Sequence, residues 1–181
     1  MKRVGVFLAE GFEEVEAVTV IDFLRRAGIQ VEIIGVTGIS VTGSHGISVA
    51  ADIEIHNAEN GYDALVIPGG MPGAKNIAES EPAVQMIKLA DGQGGLIAAI
   101  CAAPAIVLGF HDLVRGREVT CYPGFEVNLQ NAIFKEDRVV IDGNLISSRG
   151  PGTAAEFSLA IISYLADSDV AETLRDATLQ K

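Results

Sequence analysis

Cysteine is scarce in this sequence: Cys101 and Cys121 are the only two. Two cysteines do not make the disulfide framework of a small secreted domain, so a cytoplasmic location is expected. Long apolar runs are missing as well, and no segment has the length of a membrane-spanning helix. The N-terminal "MKRVGVFLAEGFEEVEAV" starts basic and then apolar. Its apolar part is only "VGVFLA" and acids follow at once, so it reads as a first strand and not as a signal peptide. Basic charge is also in short supply, with 13 Lys+Arg against 24 Asp+Glu and a formal net charge of −11. Such a chain repels phosphate backbones and anionic headgroups, so neither nucleic acid nor a membrane surface is an expected partner. Neither glycine-rich phosphate signature is present, G-x-G-x-x-G after a strand or G-x-x-x-x-G-K-[ST]. Repeats, linkers and low-complexity tracts are absent, so residues 1–181 read as one domain.

What is there is apolar and regularly punctuated: 49% of the residues are hydrophobic, enough for a core without disulfides or metals. Strands are expected at 2–9, 30–36, 62–70 and 95–100, with a hairpin on the sheet edge between 37 and 55. A helix over 14–27 shows one apolar face at Ala17, Val20, Ile21, Leu24 and Ala27 and stops at Gly28. A second helix starts at Ser80, its N-cap, with Pro82 in the first turn. Residues 102–108 read as a short helix, "EVTCY" as a strand, and "RVVID" and "NLISS" as a two-strand unit around Gly143. A helix from Thr153 is expected to bury Phe157, Ala160, Ile161, Tyr164 and Leu165, and a last helix covers about 169–179. Strands and helices alternate and the central strands are continuously apolar. The fold class is therefore α/β: a flavodoxin-like, doubly wound, mostly parallel sheet with helices on both faces.

Ligands of such sheets sit at the carboxyl ends of the strands, at a switch in strand order. Cys101 occupies such an end, between "LIAAI" and a short helix. Backbone N–H groups and the helix dipole are expected to lower its thiol pKa there. Ala99 and Ala103 are small enough to let strand and helix close, as in a nucleophile elbow. The competing reading is a buried thiol that only packs. Glu10, Glu13, Glu14 and Glu16 crowd the first strand-to-helix turn. Helix-dipole complementarity and solvation account for Glu13 and Glu14, whereas Glu16 lies one turn in and points elsewhere. Beside a thiolate its carboxyl would stay protonated and could shuttle a proton. "PGG" ends a strand at Gly69 and Gly70, whose N–H groups, with that of Ala102, could form an oxyanion hole. A tight turn uses Gly-Gly equally well. None of His45, His56 and His111 falls at a strand end next to Cys101, and no zinc spacing is present, so no metal is expected. Cys121 is a resolving thiol for an oxidised Cys101 or, more simply, a buried small residue.

"GFEEVEAV", "VIPGG", "AAICAAP" and "SSRGPGTAAEF", in this order, resemble the ThiJ/PfpI superfamily of the DJ-one type, close to its small single-domain members. The resemblance covers essentially the whole chain. It implies a fold related to class I glutamine amidotransferases, a homodimer, and no cofactor. It implies Cys101 as the reactive residue, Glu16 as its protonated partner, and a pocket lined by the backbone of Gly69, Gly70 and Ala102 and bordered by Gly150 and Pro151. Arg26 and His45 match positions near the dimer interface. Many relatives carry His where this chain has Tyr122. A tyrosine, with an unperturbed pKa of ~10, is a poor base at neutral pH, so protease chemistry is not expected. Nor is thiazole phosphate synthesis, for which no site is visible. The reading is a cysteine-dependent enzyme acting on small reactive carbonyls of the methylglyoxal type, glyoxalase- or deglycase-like, through Cys101, Glu16 and Tyr122. The alternative is a peroxide-responsive redox sensor that uses reversible oxidation of Cys101.

Overall fold

A computed structural model describes residues 1–180. Seven strands form the main sheet: β1 (Arg3–Leu8), β2 (Gln30–Gly35), β5 (Ile53–Glu54), β6 (Ala64–Ile67), β7 (Leu96–Ile100), β10 (Val139–Asp142) and β11 (Leu145–Ser148). Their spatial order is β10-β11-β7-β6-β1-β2-β5. All neighbours are parallel except the β10–β11 hairpin. The parallel strands β6 and β7 are buried along their whole length, as expected for strands covered on both faces.

Among the described residues, five α-helices accompany the sheet: α1 (Glu14–Arg26), α2 (Gly73–Glu79), α3 (Glu81–Gly92), α4 (Ala154–Leu165) and α5 (Ser168–Ala177). Ala17, Val20, Ile21 and Leu24 lie on the buried face of α1 at the spacing read from the sequence, whereas Ala27, just past its end, is half-buried. Ser80 caps α3, its Oγ accepting from Ala83 N at 3.4 Å. The largest wholly buried side chains include Phe7, Phe12 and Phe157. Each is worth about 1.5–3 kcal/mol of burial.

Several expectations are corrected. The 37–55 hairpin, β3 (Ser40–Thr42) with β4 (Ser48–Ala50), forms its own two-stranded sheet, and the short β5 takes the edge of the main one. Only Glu118–Val119 of "EVTCY" is a strand, β8, paired in parallel with β9 (Ile133–Phe134) outside the main sheet. Helix α2 was hidden behind a Pro-Gly start and is only seven residues long. Residues Pro104–Gly109 form a π-helical turn instead of an α-helix. Tyr164 is exposed and Ala160 only half-buried, while Ser158, Leu159 and Ile162 join the buried side of α4. Thr153 stands at the N-cap position of α4, but its hydroxyl makes no cap bond and instead accepts from Gly150 N at 3.1 Å.

Candidate active site

The chain runs from β1 outward in both directions, to β2 on one side and to β6 and β7 on the other. This reversal places the loops after β1, β6 and β7 around one crevice, where doubly wound sheets bind ligands. Those loops bring Glu16, Gly69, Gly70, Cys101 and Ala102 together.

Cys101 follows β7 directly and has φ of 64°, a left-handed conformation that costs a non-glycine residue about 1–3 kcal/mol. Two backbone bonds hold it there. Cys101 N donates to Ser148 O at 2.9 Å, and Tyr122 N donates to Cys101 O at 2.8 Å. Ala99 and Ala103 are fully buried on either side of the bend. The thiol is nearly buried, 9% of the residue being exposed.

Glu16 is wholly buried. Its Oε2 accepts from Gly69 N at 2.8 Å, Oε1 has no hydrogen-bond partner among the described residues, and the carboxyl group lies beside the Cys101 thiol. Burial pushes this carboxyl up to about 7; the bonds from Cys101 and Gly69 N oppose the shift, and the nearby Glu13 charge adds to it. Gly69 is there because nothing larger fits. A Cβ would stand 2.6 Å from Cys101 Cβ, 2.8 Å from Glu16 Oε2 and 2.9 Å from Ile100 O.

The thiol pKa is raised, contrary to the expectation from the helix start. Burial pushes it up, and so do the charge of Glu16 and its hydrogen bond; the N–H groups of Gly70 and Ala102 pull down without winning. Two acids in one dry space cannot both ionise, so the pair keeps one proton. When Glu16 holds it, the repulsion on the sulfur is gone and an O–H can donate to a thiolate.

The other candidate residues fall around this centre or away from it. Tyr122, half exposed, is tied to the elbow by its backbone, and its ring lies against Gly150. Pro151 is half-buried in the following one-turn helix. Arg26 pairs with Asp22 at 2.6 Å on the outer face of α1 and takes no part in the crevice. His45 is exposed and its Nδ1 lies 2.9 Å from Glu14 Oε2, so it serves Glu14 and not Cys101. Glu14 itself is buried, which corrects its reading as a solvated helix-start acid. Burial raises its carboxyl, but the imidazole and the backbone N–H groups of His45 and Ile47 outweigh that and hold it at about 2. His56 is exposed beside Glu54, and His111 bonds the carbonyl of Ala78. Cys121 is buried, its thiol raised by burial to about 11, with Sγ 3.5 Å from Tyr122 O. Among the described residues one group of three potential metal-binding side chains converges, Glu13, Glu14 and His45, and it does not include Cys101.

Sequence reading missed the backbone clasp of Ser148 and Tyr122 on Cys101. It also missed the Ser148–Thr153 hydroxyl pair (2.6 Å) beneath the 149–152 loop. The "SSRGPGT" motif was the available signal for that pair.

A strained cysteine at a strand end, a buried glutamate and a parallel doubly wound sheet define a flavodoxin-like α/β protein with a cysteine elbow. The chain belongs to the DJ-1/PfpI family, whose model matches residues 2–164. It is 39% identical to the zebrafish (Danio rerio) "Parkinson disease protein 7 homolog", over 99% of this chain and 98% of that protein. It is 40% identical to the Arabidopsis thaliana "Protein DJ-1 homolog B" over 98% of this chain, which spans only 41% of that relative's length. The Caenorhabditis elegans "Glutathione-independent glyoxalase DJR-1.2" is 36% identical over 86% of this chain and 84% of its own. The solved structure of "Toxoplasma gondii DJ-1, oxidized" superposes with a TM-score of 0.96 at 39% identity, covering 99% of this chain and 98% of that one.

Proposed function

We propose that the protein is a cofactor-independent enzyme for α-oxo-aldehydes, converting methylglyoxal-type carbonyls to hydroxy acids. The observation that carries this reading is the buried Glu16, raised to about 7, facing the thiol of a strained elbow. The Cys101 thiolate adds to the aldehyde carbon, and the carbonyl oxygen takes the one proton of the pair from Glu16, giving a hemithioacetal and leaving Glu16 ionised. The N–H groups of Gly70 and Ala102 stabilise negative charge in this step. Glu16 takes the proton from the former aldehyde carbon and returns one to the neighbouring carbon. The first carbon is thereby oxidised to a thioester and the second reduced to an alcohol. Water then cleaves the thioester, releasing the hydroxy acid and the free thiol. One water is consumed and no external oxidant or reductant is needed. The name of the nematode relative supports this reaction class.

In this scheme Tyr122 need not be a base, because Glu16 moves the proton. The test is lactate formation from methylglyoxal by the purified protein beside Cys101→Ala. Many turnovers by the wild type and none by the variant are expected; no lactate from either would sink the reading.

A second reading is supported by the same donors and by the Toxoplasma gondii relative, whose solved form is described as oxidized. Peroxide would transfer one oxygen to Cys101, leaving an alcohol or water and a sulfenate held by Glu16 and the N–H groups. A mass gain of one or two oxygens on Cys101 at equimolar peroxide, without lactate formation, would favour it.

We also infer that a second copy of the chain covers the outer face of α1. Val15 and Val18 are about half exposed there, and Ile47, whose N–H reaches Glu14, is exposed as well. Monomers seldom leave such residues clustered.

A further inference from the structure

The reaction proposed above leaves one large side chain beside the elbow without a task. Tyr122 cannot drift from Cys101, because its own N–H holds the Cys101 carbonyl at 2.8 Å. The Cδ2–Cε2 side of its ring lies against Gly150, where a Cβ would come within 3.0 Å of Cδ2 and 3.4 Å of Cε2. That close approach accounts for glycine in the pocket-bordering loop. Phe125 meets the ring edge to face, with centroids 6.3 Å apart and planes at 73°. Even so, 45% of Tyr122 stays exposed. Its hydroxyl makes no hydrogen bond to the described residues. A braced aromatic surface thus stands open one backbone hydrogen bond from the reactive turn.

We propose that the Tyr122 ring is a specificity wall that selects α-oxo-aldehydes bearing a flat aromatic group, the arylglyoxals, over methylglyoxal. This rests on the cysteine-dependent reading above and names its preferred substrate class. An aryl substituent can cover the open ring in an offset or edge-to-face stack and take its apolar surface out of water. A methyl group is too small to do so. The chemistry is unchanged: the arylglyoxal takes up one water and becomes an aryl hydroxy acid, with the same carbon oxidised and the same carbon reduced. Bracing by Gly150 and Phe125 lowers the ordering cost of the contact, since the ring is already fixed.

The experiment compares kcat/KM for phenylglyoxal and for methylglyoxal in the wild type, Tyr122→Phe, Tyr122→Leu and Tyr122→Ala. The phenylglyoxal-to-methylglyoxal ratio is expected to stay within about twofold in Tyr122→Phe. It should fall by roughly three- to tenfold in the Leu and Ala variants, mainly through KM for phenylglyoxal. An unchanged ratio in those two variants would overturn the wall. So would loss of turnover on both substrates in Tyr122→Phe, which would make the hydroxyl catalytic. Dissociation constants for the product acids, mandelate and lactate, give a readout without turnover. Tighter mandelate binding that disappears in Tyr122→Ala supports the wall even if the wild type makes no product, a result that would overturn only the enzymatic reading. Equal binding of both acids by an inactive wild type would overturn both.

Discussion

At Glu16 a carboxyl group leaves water for one backbone donor and a thiol. Its folded pKa, about 7, stands above the ~4.3 of an unfolded glutamate. The folded state therefore holds this proton more tightly than the unfolded one. The resulting stabilisation is complete below pH ~4.3 and is lost as pH rises to about 7, by about 4 kcal/mol in all. Glu16→Gln cannot ionise, so urea unfolding at pH 5 and pH 8 is expected to show the wild type losing about 3 kcal/mol relative to the variant. An equal difference at both pH values would refute the shift. Activity has the opposite slope. A pair that holds both protons has no thiolate, so kcat/KM should rise with pH to a half-maximum near 7. Gly69→Ala tests the geometry: its Cβ would enter the space of Cys101 and Glu16. The expected cost is about 1–3 kcal/mol in unfolding free energy, with a loss of turnover of about a hundredfold. Position at strand ends marked Cys101 and Glu16 as candidates and the family resemblance paired them, yet no sequence rule gave the sign of the thiol shift. Local helix-end effects are visible in a sequence; the burial that outweighs them depends on how distant segments pack.

Elements with strong periodicity or continuous apolar runs were legible, and those defined by long-range contacts were not. Strands β1, β2, β6 and β7 and helices α1 and α3 follow from pattern and caps. By contrast, α2, the π-helical turn and the truncated β8 are set by what they pack against. Tyr164 shows the same limit, since an apolar face on α4 does not say how wide its neighbour is. One inter-element device bears on the pocket. Arg138, just before β10, grips both carboxylate oxygens of Glu156 on α4 through Nε at 3.0 and 2.9 Å, and its Nη2 donates to Gly152 O at 2.7 Å. This clamp holds the far side of the 149–153 loop, whose near side carries Gly150 against Tyr122. The ion pair is exposed, so Arg138→Ala is expected to cost less than about 1 kcal/mol of stability. Loosening the loop should instead raise KM several-fold with kcat within about twofold. A fall in kcat at unchanged KM would show that the loop positions reacting groups and does not shape the pocket.

The whole molecule connects its reactive centre to its outer surface through a single helix. The inward side of α1 carries Glu16; its outward side presents Val15, Val18, Asp22 and Arg26 at helical spacing, the last two paired with each other. Glu14 ties the start of this helix to the β3–β4 hairpin through His45 and Ile47, and Ile47, like the two valines, is exposed. A second copy packed there would bury apolar area on both chains and clamp α1 without touching Cys101. Val18→Asp places a charge in the middle of that surface and leaves the core face of α1 intact. Light scattering after size-exclusion chromatography is expected to give twice the 19.0 kDa chain mass for the wild type and a single chain mass for the variant. The thermal midpoint of the wild type should then rise with protein concentration, and that of the variant should not. A dimeric Val18→Asp would move the interface to another face, and a monomeric wild type would leave α1 held by the hairpin alone. If the variant is monomeric and its turnover falls while its fold is retained, the partner acts on Glu16 through the rigidity of α1, because no residue of the crevice has been changed.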